Sequence, residues 1–491
     1  MRSRFKKRFE NIRVDLIPLQ LFNTMTRRKE KFKPLKDREV KLFVCGVTTY
    51  SYVHLGHART YSFYDTLVRF LRYLGYKVTY LQNVTDVGHL LDTGEDRIIK
   101  AAKEEKKHPM EVAQFYLKHW LEVMERLKIL KPDLMPKATE HIKEIIEQVQ
   151  ALIKNGYAYI TPEGNVYFEI SKFKDYGKLS KNVPKELVAG ARVEVKSDKK
   201  NQRDFALWIR AKPEHILKWE SPFSLGFPGW HIEDTAIAIK YFGPQYDIHG
   251  GAIELAFPHH EAEIAQAEGA TGIKPYVRYW VHTGILTIKG IKMSKSLGNI
   301  IQVNDALKKY SPETIRLWIA STHYRKPLDY NEKDLEVVKK KVEKISSTLV
   351  KIKENLDKAK IKKLVFSNQI EKLKKQFLQA MEDDVNTPLA LTYFFKIISL
   401  VNKQIDEGKF SRKDLELANA VINELGQFFQ IIPKLKEEKL SEEIIELIKK
   451  REAARKAGDF KTADEIRKRI RKEFDIILED TKEGVKWRKA K

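Results

Sequence analysis

The chain has 491 residues, of which 42 % are hydrophobic, 32 % charged and 10 % aromatic. This length corresponds to about three domains, and the composition excludes a largely disordered chain, a fibrous repeat and a small disulfide scaffold. Lysine and arginine outnumber the acidic residues and give a net charge of +25. Such an excess is typical of a nucleic-acid partner; a lysine-rich solvated surface is the alternative.

The sequence predicts a protein of a reducing compartment, with no membrane span. No stretch approaches the roughly 18 uninterrupted apolar residues of a transmembrane helix. The start of the chain is basic, but it lacks the apolar core of a signal peptide. Cys45 is the only cysteine, so no internal disulfide can form. The cytoplasm is therefore the expected location.

The first third of the chain alternates strand and helix patterns. Residues 41–49 are predicted to form a buried strand that ends in a tight turn, and residues 77–86 a second strand. Between them, apolar residues follow the spacing of an amphipathic helix at Tyr64, Leu67, Val68, Leu71 and Leu74. Gly75 stands where a left-handed C-terminal cap belongs. A strand–helix–strand unit of this kind builds a parallel sheet that binds ligands at its strand ends.

The whole chain is predicted to be an α/β protein whose parallel-sheet domain is split by an insertion and followed by helical regions. A heptad-like seam of apolar residues indicates the helical bundle, at Leu335, Val338, Val342, Ile345, Leu349 and Ile352. The predicted boundaries are 1–90 and 201–290 for the two halves of the sheet domain, 91–200 for the insertion, 291–330 for a loop and stem-contact region, 331–432 for the bundle and 433–491 for a small C-terminal domain.

The first candidate motif is HLGH, at residues 54–57, where the first strand is followed by a helix. Helix amides and the helix dipole favour phosphate there. Gly56 lets a nucleotide approach the backbone, and the imidazoles of His54 and His57 can donate to phosphate oxygens. The motif is weak alone, because three fixed letters recur often by chance. A histidine-flanked helix cap is the alternative.

The second motif, KMSKSLGN, is more specific. Lys292 and Lys295, with Met293 and Ser294 between them, can surround a triphosphate with mobile positive charge. Five fixed letters are a rare coincidence in one chain.

A third pattern suits a metal ion. His259 and Glu263 are four residues apart on a helix that Pro258 is expected to begin. They share one face, a spacing that suits two ligands of one metal. The alternative is a helix N-terminus with a favourable acid in its first turn and a solvated histidine. Taken alone, the pair is more consistent with this alternative than with a metal site.

Together, HLGH and KMSKSLGN resemble the paired signatures of class I aminoacyl-tRNA synthetases. In that class the two motifs stabilise the α-phosphorus and the departing pyrophosphate when a carboxylate attacks ATP. Further segments make the chain similar to the cysteinyl-tRNA synthetases from about Pro18 to Arg488. They are NVTDVGH (83–89), AGARVEV (189–195), DFALW (204–208), PGWHIEDTAIA (228–238), HGGAIELAFPHHEAEIAQAE (249–268), DVNTPLAL (384–391), REAARKAGDFKTADEIRKRI (451–470) and LEDTKEGVKWR (478–488). The resemblance implies a Rossmann-type catalytic domain with a connective insertion and a C-terminal anticodon-binding domain.

The same resemblance implies one zinc ion per chain that binds the thiolate of the substrate. Three of the usual ligands correspond to Cys45, His259 and Glu263, and the fourth to Asp234, where the family pattern has a second cysteine. Aspartate keeps the ligand charge and binds zinc through oxygen. A harder ligand leaves the metal more electron-poor, which favours capture of a thiolate. We hypothesise a Cys–Asp–His–Glu zinc site; a metal-free pocket in which Asp234 caps or pairs is the alternative.

The substrate pockets are implied by position. The expected catalytic residues are His54, His57, Lys292 and Lys295. The expected ATP-binding residues are these four with Gly56, Gly250, Gly251, Glu254, Met293 and Ser294. Glu254 stands where the family usually has an aspartate, so its role is open. The expected cysteine-binding residues are Gly46, Thr48, Thr85, Trp230 and His260. For His260 and His231, a structural role is as consistent with the sequence as a ligand contact.

At the C-terminus, Arg455, Phe460, Asp464 and Asp480 correspond to residues that read anticodon bases in the family. An aromatic ring offers a stacking face, and Arg and Asp can address base edges. An ordinary amphipathic helix is the alternative without the resemblance.

The resemblance thus implies a monomeric, cytoplasmic cysteine–tRNA ligase with L-cysteine, ATP with Mg²⁺, and the cysteine tRNA as partners. Two other functions remain open. One is the related ligase that joins cysteine to an aminosugar–inositol; residues 451–488, which resemble an anticodon-binding segment, make it less consistent with the sequence. The other is a non-catalytic tRNA-binding paralogue, which the intact HLGH and KMSKS motifs disfavour.

Overall fold

The computed structural model describes residues 18–88, 97–181, 198–213, 215–294, 297–434, 441–481 and 484–489. The chain divides into two compact units, Met1–Pro433 and Lys434–Lys491. Within the described ranges, no helix has the length and apolarity that crossing a membrane requires.

The first unit begins with the predicted strand–helix–strand pattern. Its elements are β1 (Gln20–Asn23), β2 (Arg28–Lys31), β3 (Glu39–Thr48), α1 (Leu55–Tyr73) and β4 (Lys77–Thr85). Strands β3 and β4 are parallel, with Val40 opposite Val78. Leu74 caps helix α1, and Gly75 follows with a φ of 89°, which is the left-handed conformation that ends many helices.

A mostly helical insertion with its own small sheet follows. Its elements are α2 (Arg97–Glu105), α3 (Pro109–Arg126), α4 (Ile142–Lys154), β5 (Ala158–Ile160), β6 (Val166–Phe168), β7 (Phe205–Arg210) and β8 (Gly226–Pro228). Strands β5 to β8 pair antiparallel in chain order. The small sheet therefore continues past residue 200, because β7 pairs with both β6 and β8.

The chain then returns to the parallel sheet through α5 (Ile232–Phe242), β9 (Tyr246–Ala252), α6 (His259–Thr271) and β10 (Val277–Thr283). The strand order is β10–β9–β3–β4, and all neighbours are parallel. Two central strands thus come from parts of the sequence about 200 residues apart: Leu42 of β3 pairs with Ile248 of β9. The predicted α/β class with a split parallel sheet is confirmed. The carboxyl ends of all four strands meet at one edge, where ligands of such sheets bind.

After the sheet come β11 (Leu286–Ile288), β12 (Ile291–Lys292), α7 (Val303–Lys309), α8 (Pro312–Ala320) and β13 (Leu328–Tyr330). A helical bundle follows, with α9 (Glu332–Asn355), α10 (Ser367–Glu382), α11 (Thr387–Asp406) and α12 (Arg412–Phe429). The Asn331 side chain accepts from the Lys333 amide and so caps α9. The six apolar residues of the predicted seam all lie buried on α9.

The second unit is small. It consists of α13 (Glu442–Lys456), α14 (Phe460–Phe474) and the antiparallel hairpin β14 (Ile476–Thr481) and β15 (Gly484–Lys489). Its core is formed by Ile444, Leu447, Ile470, Ile476 and Leu478.

Candidate active site

Four metal-ligating side chains converge on the carboxyl edge of the parallel sheet. Cys45 comes from β3, and His259, His260 and Glu263 come from the first turns of α6; all four are buried, and their ligand atoms lie within 4.8 Å of one another. The Cys45 Sγ is 3.1 Å from His260 Nε2, and His259 Nε2 is 3.1 Å from Glu263 Oε1. The four-residue spacing of His259 and Glu263 thus brings their donor atoms together.

Asp234 borders this cluster from the first turn of α5. Its Oδ2 lies 3.1 Å from His259 Nε2, and its Oδ1 accepts a hydrogen bond of 2.5 Å from Asn83 Nδ2. Only 2 % of Asp234 is exposed. The structure therefore brings together the four residues expected from the sequence to hold zinc. It adds His260, which was expected to contact cysteine, beside the Cys45 sulfur.

The electrostatics of the cluster are those of acids and imidazoles buried together. Burial, with the nearby carboxylates of Glu263 and Asp234, raises the pKa of the Cys45 thiol well above its usual value. Burial and then Asp234 raise the pKa of Glu263 in the same way. Burial lowers the pKa of His260 well below its usual value. A divalent cation reverses this tendency, because it stabilises the thiolate and the carboxylates.

The donor set fits zinc. It offers a thiol, imidazoles and carboxylates, which are the ligands that zinc takes in proteins. The Glu263 Oε2 atom is buried, lies 3.5 Å from His249 Nε2 and accepts no hydrogen bond from any described residue. A buried carboxylate oxygen without a hydrogen bond is costly unless a cation binds it.

A set of polar contacts orients the rings of the cluster. The Nδ1 atoms of His259 and His231 are 2.7 Å apart, and His260 Nδ1 is 2.8 Å from His282 Nε2. His249 Nε2 lies 3.3 Å from the Cys45 sulfur. Partners of this kind fix the tautomer of a ligand histidine.

The sequence did not point to Asn83, His249 or His282 as site residues. His249 lies in the HGGA segment and Asn83 in NVTDVGH, both of which carried the family resemblance. His282 lies on β10 opposite Gly251 of β9, and its contact with His260 places its ring at the site.

The residues expected to bind cysteine line the same edge. A Cβ at Gly46 would lie 1.6 Å from the Asn83 carbonyl oxygen, so only glycine fits there. The Trp230 ring stacks on His259 with centroids 4.4 Å apart. Thr48 and Thr85 are opposite each other at the ends of β3 and β4, and the Thr85 hydroxyl donates to the Glu233 carboxylate.

The HLGH motif begins helix α1. The His54 amide donates to His57 Nδ1 over 3.3 Å, and the two rings stack with centroids 3.7 Å apart. A Cβ at Gly56 would lie 3.4 Å from Met293 Cε. The Leu55 amide donates to the Ile301 carbonyl over 3.0 Å, so the motif packs against the segment that carries KMSKS.

Lys292 ends strand β12, and its ammonium forms an ion pair with the Glu254 carboxylate. The Ser294 amide donates to Asn299 Oδ1 over 2.8 Å, and Met293 is buried. Lys295 lies outside the described residues. Glu254, expected near ATP, is thus in direct contact with the first lysine of the motif.

Gly250 and Gly251 lie on β9, where a Cβ would meet Tyr64 OH at 2.2 Å and Leu255 Cδ1 at 2.7 Å, respectively. These glycines allow the close packing of β9 at the edge where nucleotide binding was expected.

In the second unit, the four residues expected to read the anticodon are all exposed. Phe460 begins α14 with 64 % of its surface exposed. Asp480 accepts two hydrogen bonds, of 2.8 and 2.7 Å, from the buried guanidinium of Arg451 and also pairs with Arg455. Mainly the Arg451 hydrogen bonds lower the pKa of Asp480 to about 2. The sequence did not reveal this contact of Arg451 with Asp480.

Three family models match the chain. The class I (C) catalytic domain of tRNA synthetases matches residues 31–340, the DALR domain residues 376–432, and the cysteinyl-tRNA ligase anticodon binding domain residues 437–488.

Curated relatives match almost end to end. Cysteine–tRNA ligase of Thermococcus gammatolerans is 44 % identical over 484 residues, which cover 96 % of this chain and 99 % of that one. Cysteine–tRNA ligase of Chlorobium chlorochromatii is 42 % identical with the same coverage. Among solved structures, Mycobacterium tuberculosis methionyl-tRNA synthetase in complex with methionyl-adenylate has a TM-score of 0.61 at 15 % identity, covering 80 % of this chain and 91 % of that one. This likeness concerns the fold alone.

Proposed function

The chain belongs to the cysteinyl-tRNA synthetase family, and from this membership we propose that it joins L-cysteine to the terminal adenosine of the cysteine tRNA in two steps. ATP and cysteine first give cysteinyl-adenylate and pyrophosphate, and the tRNA then takes the cysteinyl group. The observation that carries the proposal is the buried cluster of Cys45, His259 and Glu263 at the sheet edge, in a chain that matches cysteine–tRNA ligases over 96 % of its length.

Selection of cysteine would depend on zinc held by Cys45, Asp234, His259 and Glu263. Bound there, zinc would supply a soft contact for the substrate thiolate, which serine and alanine lack. Asn83 orients the Asp234 carboxylate, and Trp230 packs on the His259 ring. These contacts hold the ligands in place before the substrate arrives, so that less binding energy is lost in ordering them.

Activation would depend on positioning and charge. His54 and His57 begin a helix whose amides and dipole favour the triphosphate. Lys292 would exchange its ion pair with Glu254 for the phosphates of magnesium-bound ATP. We assign the same role to Lys295 from the motif alone.

Anticodon recognition would fall to Phe460, Asp464, Arg455 and Asp480. Phe460 exposes a ring on which a base can stack, and Arg451 and Arg455 hold the Asp480 carboxylate ionised. The match of the anticodon binding domain to residues 437–488 favours this activity over the aminosugar–inositol ligase.

The test is pyrophosphate exchange into ATP, followed by aminoacylation. We expect exchange that depends on cysteine, is not supported by serine and needs no tRNA, and transfer of cysteine to the cysteine tRNA. Absence of cysteine-dependent exchange would refute the catalytic proposal. Exchange without tRNA charging would favour the aminosugar–inositol ligase.

We also propose that the protein acts as a monomer in the cytoplasm, whose reducing conditions suit the lone buried Cys45. Light scattering of the purified protein tests the first point, since a dimer would double the measured mass.

A further inference from the structure

Helix α1 carries a buried arginine that the proposed reaction does not use. Arg59 follows His57 by two residues, and only 3 % of it is exposed. Among the described residues, its guanidinium donates only to backbone carbonyls, those of Ile285, Tyr324 and Lys326. Burial lowers its pKa to about 10, so the group remains a cation near neutral pH. A buried cation with no acidic partner is costly and calls for an explanation.

The carbonyls bound by Arg59 lie at the base of the lysine hairpin, defined as residues 286–292. Ile285 directly precedes β11, and Lys326 lies two residues before β13. Strands β11 and β13 pair in parallel, and the Leu328 amide donates to the Ile285 carbonyl over 3.0 Å. Strand β12, which ends at Lys292, pairs with β11. Arg59 therefore contacts residues just before β11, which pairs with the strand that carries Lys292, and just before β13, which pairs with β11.

The backbone at this base is tightly packed. The Gly284 amide donates to the Tyr324 carbonyl over 2.7 Å, and a Cβ at Gly284 would lie 2.6 Å from the Lys326 carbonyl oxygen. Several carbonyl oxygens thus converge in a buried place, where each needs a donor. A planar guanidinium can serve three of them at once, which an ammonium cannot do with the same geometry.

The segment 323–326 is also held from the helical bundle. Asp384, fully buried between α10 and α11, accepts from Tyr324 OH over 2.6 Å and from Arg325 Nε over 2.8 Å. It also accepts from the Phe22 amide over 2.8 Å. One short segment is thus held by Arg59 of the HLGH helix on one side and by Asp384 of the bundle on the other.

We propose that Arg59 is a positioning residue that sets the lysine hairpin against the HLGH helix through the carbonyls of Ile285, Tyr324 and Lys326. Its effect is on the placement of Lys292 toward ATP, not on the cysteine pocket. The inference rests on the proposed role of Lys292 in ATP activation.

The experiment is steady-state pyrophosphate exchange with Arg59→Met and Arg59→Lys, varying ATP and cysteine separately. For Arg59→Met we expect kcat/KM for ATP to fall by about tenfold to a hundredfold, as a small misplacement of a reacting group can cause. The KM for cysteine should stay within about twofold. Arg59→Lys should recover part of the loss, because its ammonium can reach some of the carbonyls.

Arg69→Lys is the matched control. Arg69 lies on the same helix, but it pairs with Asp65 at 3.0 Å and does not contact the hairpin; its kinetic constants should match the wild type. Asp384→Asn, which loosens the same segment from the bundle side, should also weaken ATP use selectively. Zinc content and the thermal midpoint establish that each variant is folded.

Unchanged ATP constants in Arg59→Met would overturn the inference, as would a KM for cysteine that rises as far as the KM for ATP with no recovery in Arg59→Lys. If Arg59→Met does not fold, Arg59→Lys decides by the same criterion. Absence of exchange in the wild type would instead refute the proposed function, so the two failures are distinguishable.

Discussion

At the scale of single residues, Asp234 is the proposed zinc ligand at which we expect this site to differ from the usual family pattern. Its carboxylate lies against His259 and is oriented by Asn83. Asp234→Asn keeps the shape of the side chain and an oxygen that can accept from Asn83, but it removes the charge that neutralises a dication. Loss of an outer-shell partner weakens metal binding by about tenfold to a hundredfold, and we expect loss of a direct ligand to exceed that. Zinc retained after titration with a chelator measures the difference.

Asp247→Asn serves as the control for this variant. Asp247 is equally buried on β9, but it accepts from the amides of Leu35 and Lys41, away from the cluster. Its zinc content should equal that of the wild type. Wild-type zinc retention in Asp234→Asn would mean that Asp234 only pairs with its neighbours and that His260 beside Cys45 completes the site.

His231 should act on the metal through His259. The Nε2 of His259 lies 3.1 Å from both Asp234 and Glu263, at the proposed metal position; with zinc on Nε2, Nδ1 would be the nitrogen that carries a proton toward His231 Nδ1, 2.7 Å away. We expect His231→Phe, which keeps a ring but cannot accept, to release zinc about tenfold to a hundredfold more readily. Stopped-flow zinc release to a coloured chelator measures this rate. A rate equal to that of the wild type would assign His231 a packing role only.

At the scale of secondary-structure elements, one carboxylate joins two helices of the bundle. Asp414, fully buried near the start of α12, accepts from the backbone amides of Val365 and Ser367 and from the hydroxyls of Ser367 and Ser411. It thereby satisfies the free amides at the start of α10 as well as those of its own helix. Burial alone would raise its pKa, but these hydrogen bonds lower it to about 2.

The lowered pKa predicts how the bundle responds to acid. Because the folded pKa is below the unfolded value of about 3.9, Asp414 stabilises the fold above that value, and its contribution is lost as the pH falls toward 2. The shift corresponds to about 2 to 3 kcal/mol. We expect Asp414→Asn to destabilise the bundle by about 2 to 3 kcal/mol at pH 7, measured as lost amide exchange protection at residues 365–367.

Asp357→Asn is the control in the same bundle. Asp357 is 90 % exposed and pairs with Arg412, and such surface pairs contribute little. The protection of residues 365–367 should not change. An equal loss of exchange protection in both variants, or unchanged protection in Asp414→Asn, would contradict the role assigned to Asp414.

The sequence predicts the local features of this fold but not its long-range contacts. The helix that ends shortly before Gly75 and the buried seam of α9 follow from local spacing, and the HLGH and KMSKS motifs are continuous in the chain. The contacts of Asp414 with Val365 and of Arg59 with Tyr324 join residues 49 and 265 positions apart. No local pattern encodes such contacts, because they arise only when strands and helices from distant segments pair. His249 and His282 were missed for the same reason.

At the scale of the whole molecule, the two compact units divide the proposed reaction. The first unit holds every residue proposed for activation of cysteine, and the second exposes Phe460, which we propose contacts the anticodon. We expect Phe460→Ala to raise the KM for tRNA in aminoacylation by about fivefold to a hundredfold, because stacking on an aromatic ring contributes about 1 to 3 kcal/mol per base. Cysteine-dependent pyrophosphate exchange should not change, since it needs no tRNA.

The comparison with Ile445→Ala distinguishes stacking from general damage to the second unit. Ile445 is an apolar residue of α13 with 40 % of its surface exposed, and its truncation removes apolar area without removing a ring. Phe460→Trp should preserve tRNA binding, because an indole also offers a stacking face. A loss of pyrophosphate exchange in Phe460→Ala would contradict the assignment of activation to the first unit, because no residue of the second unit is proposed to take part in activation. Equal tRNA constants for Phe460→Ala and Ile445→Ala would instead place anticodon contacts on other residues of the unit.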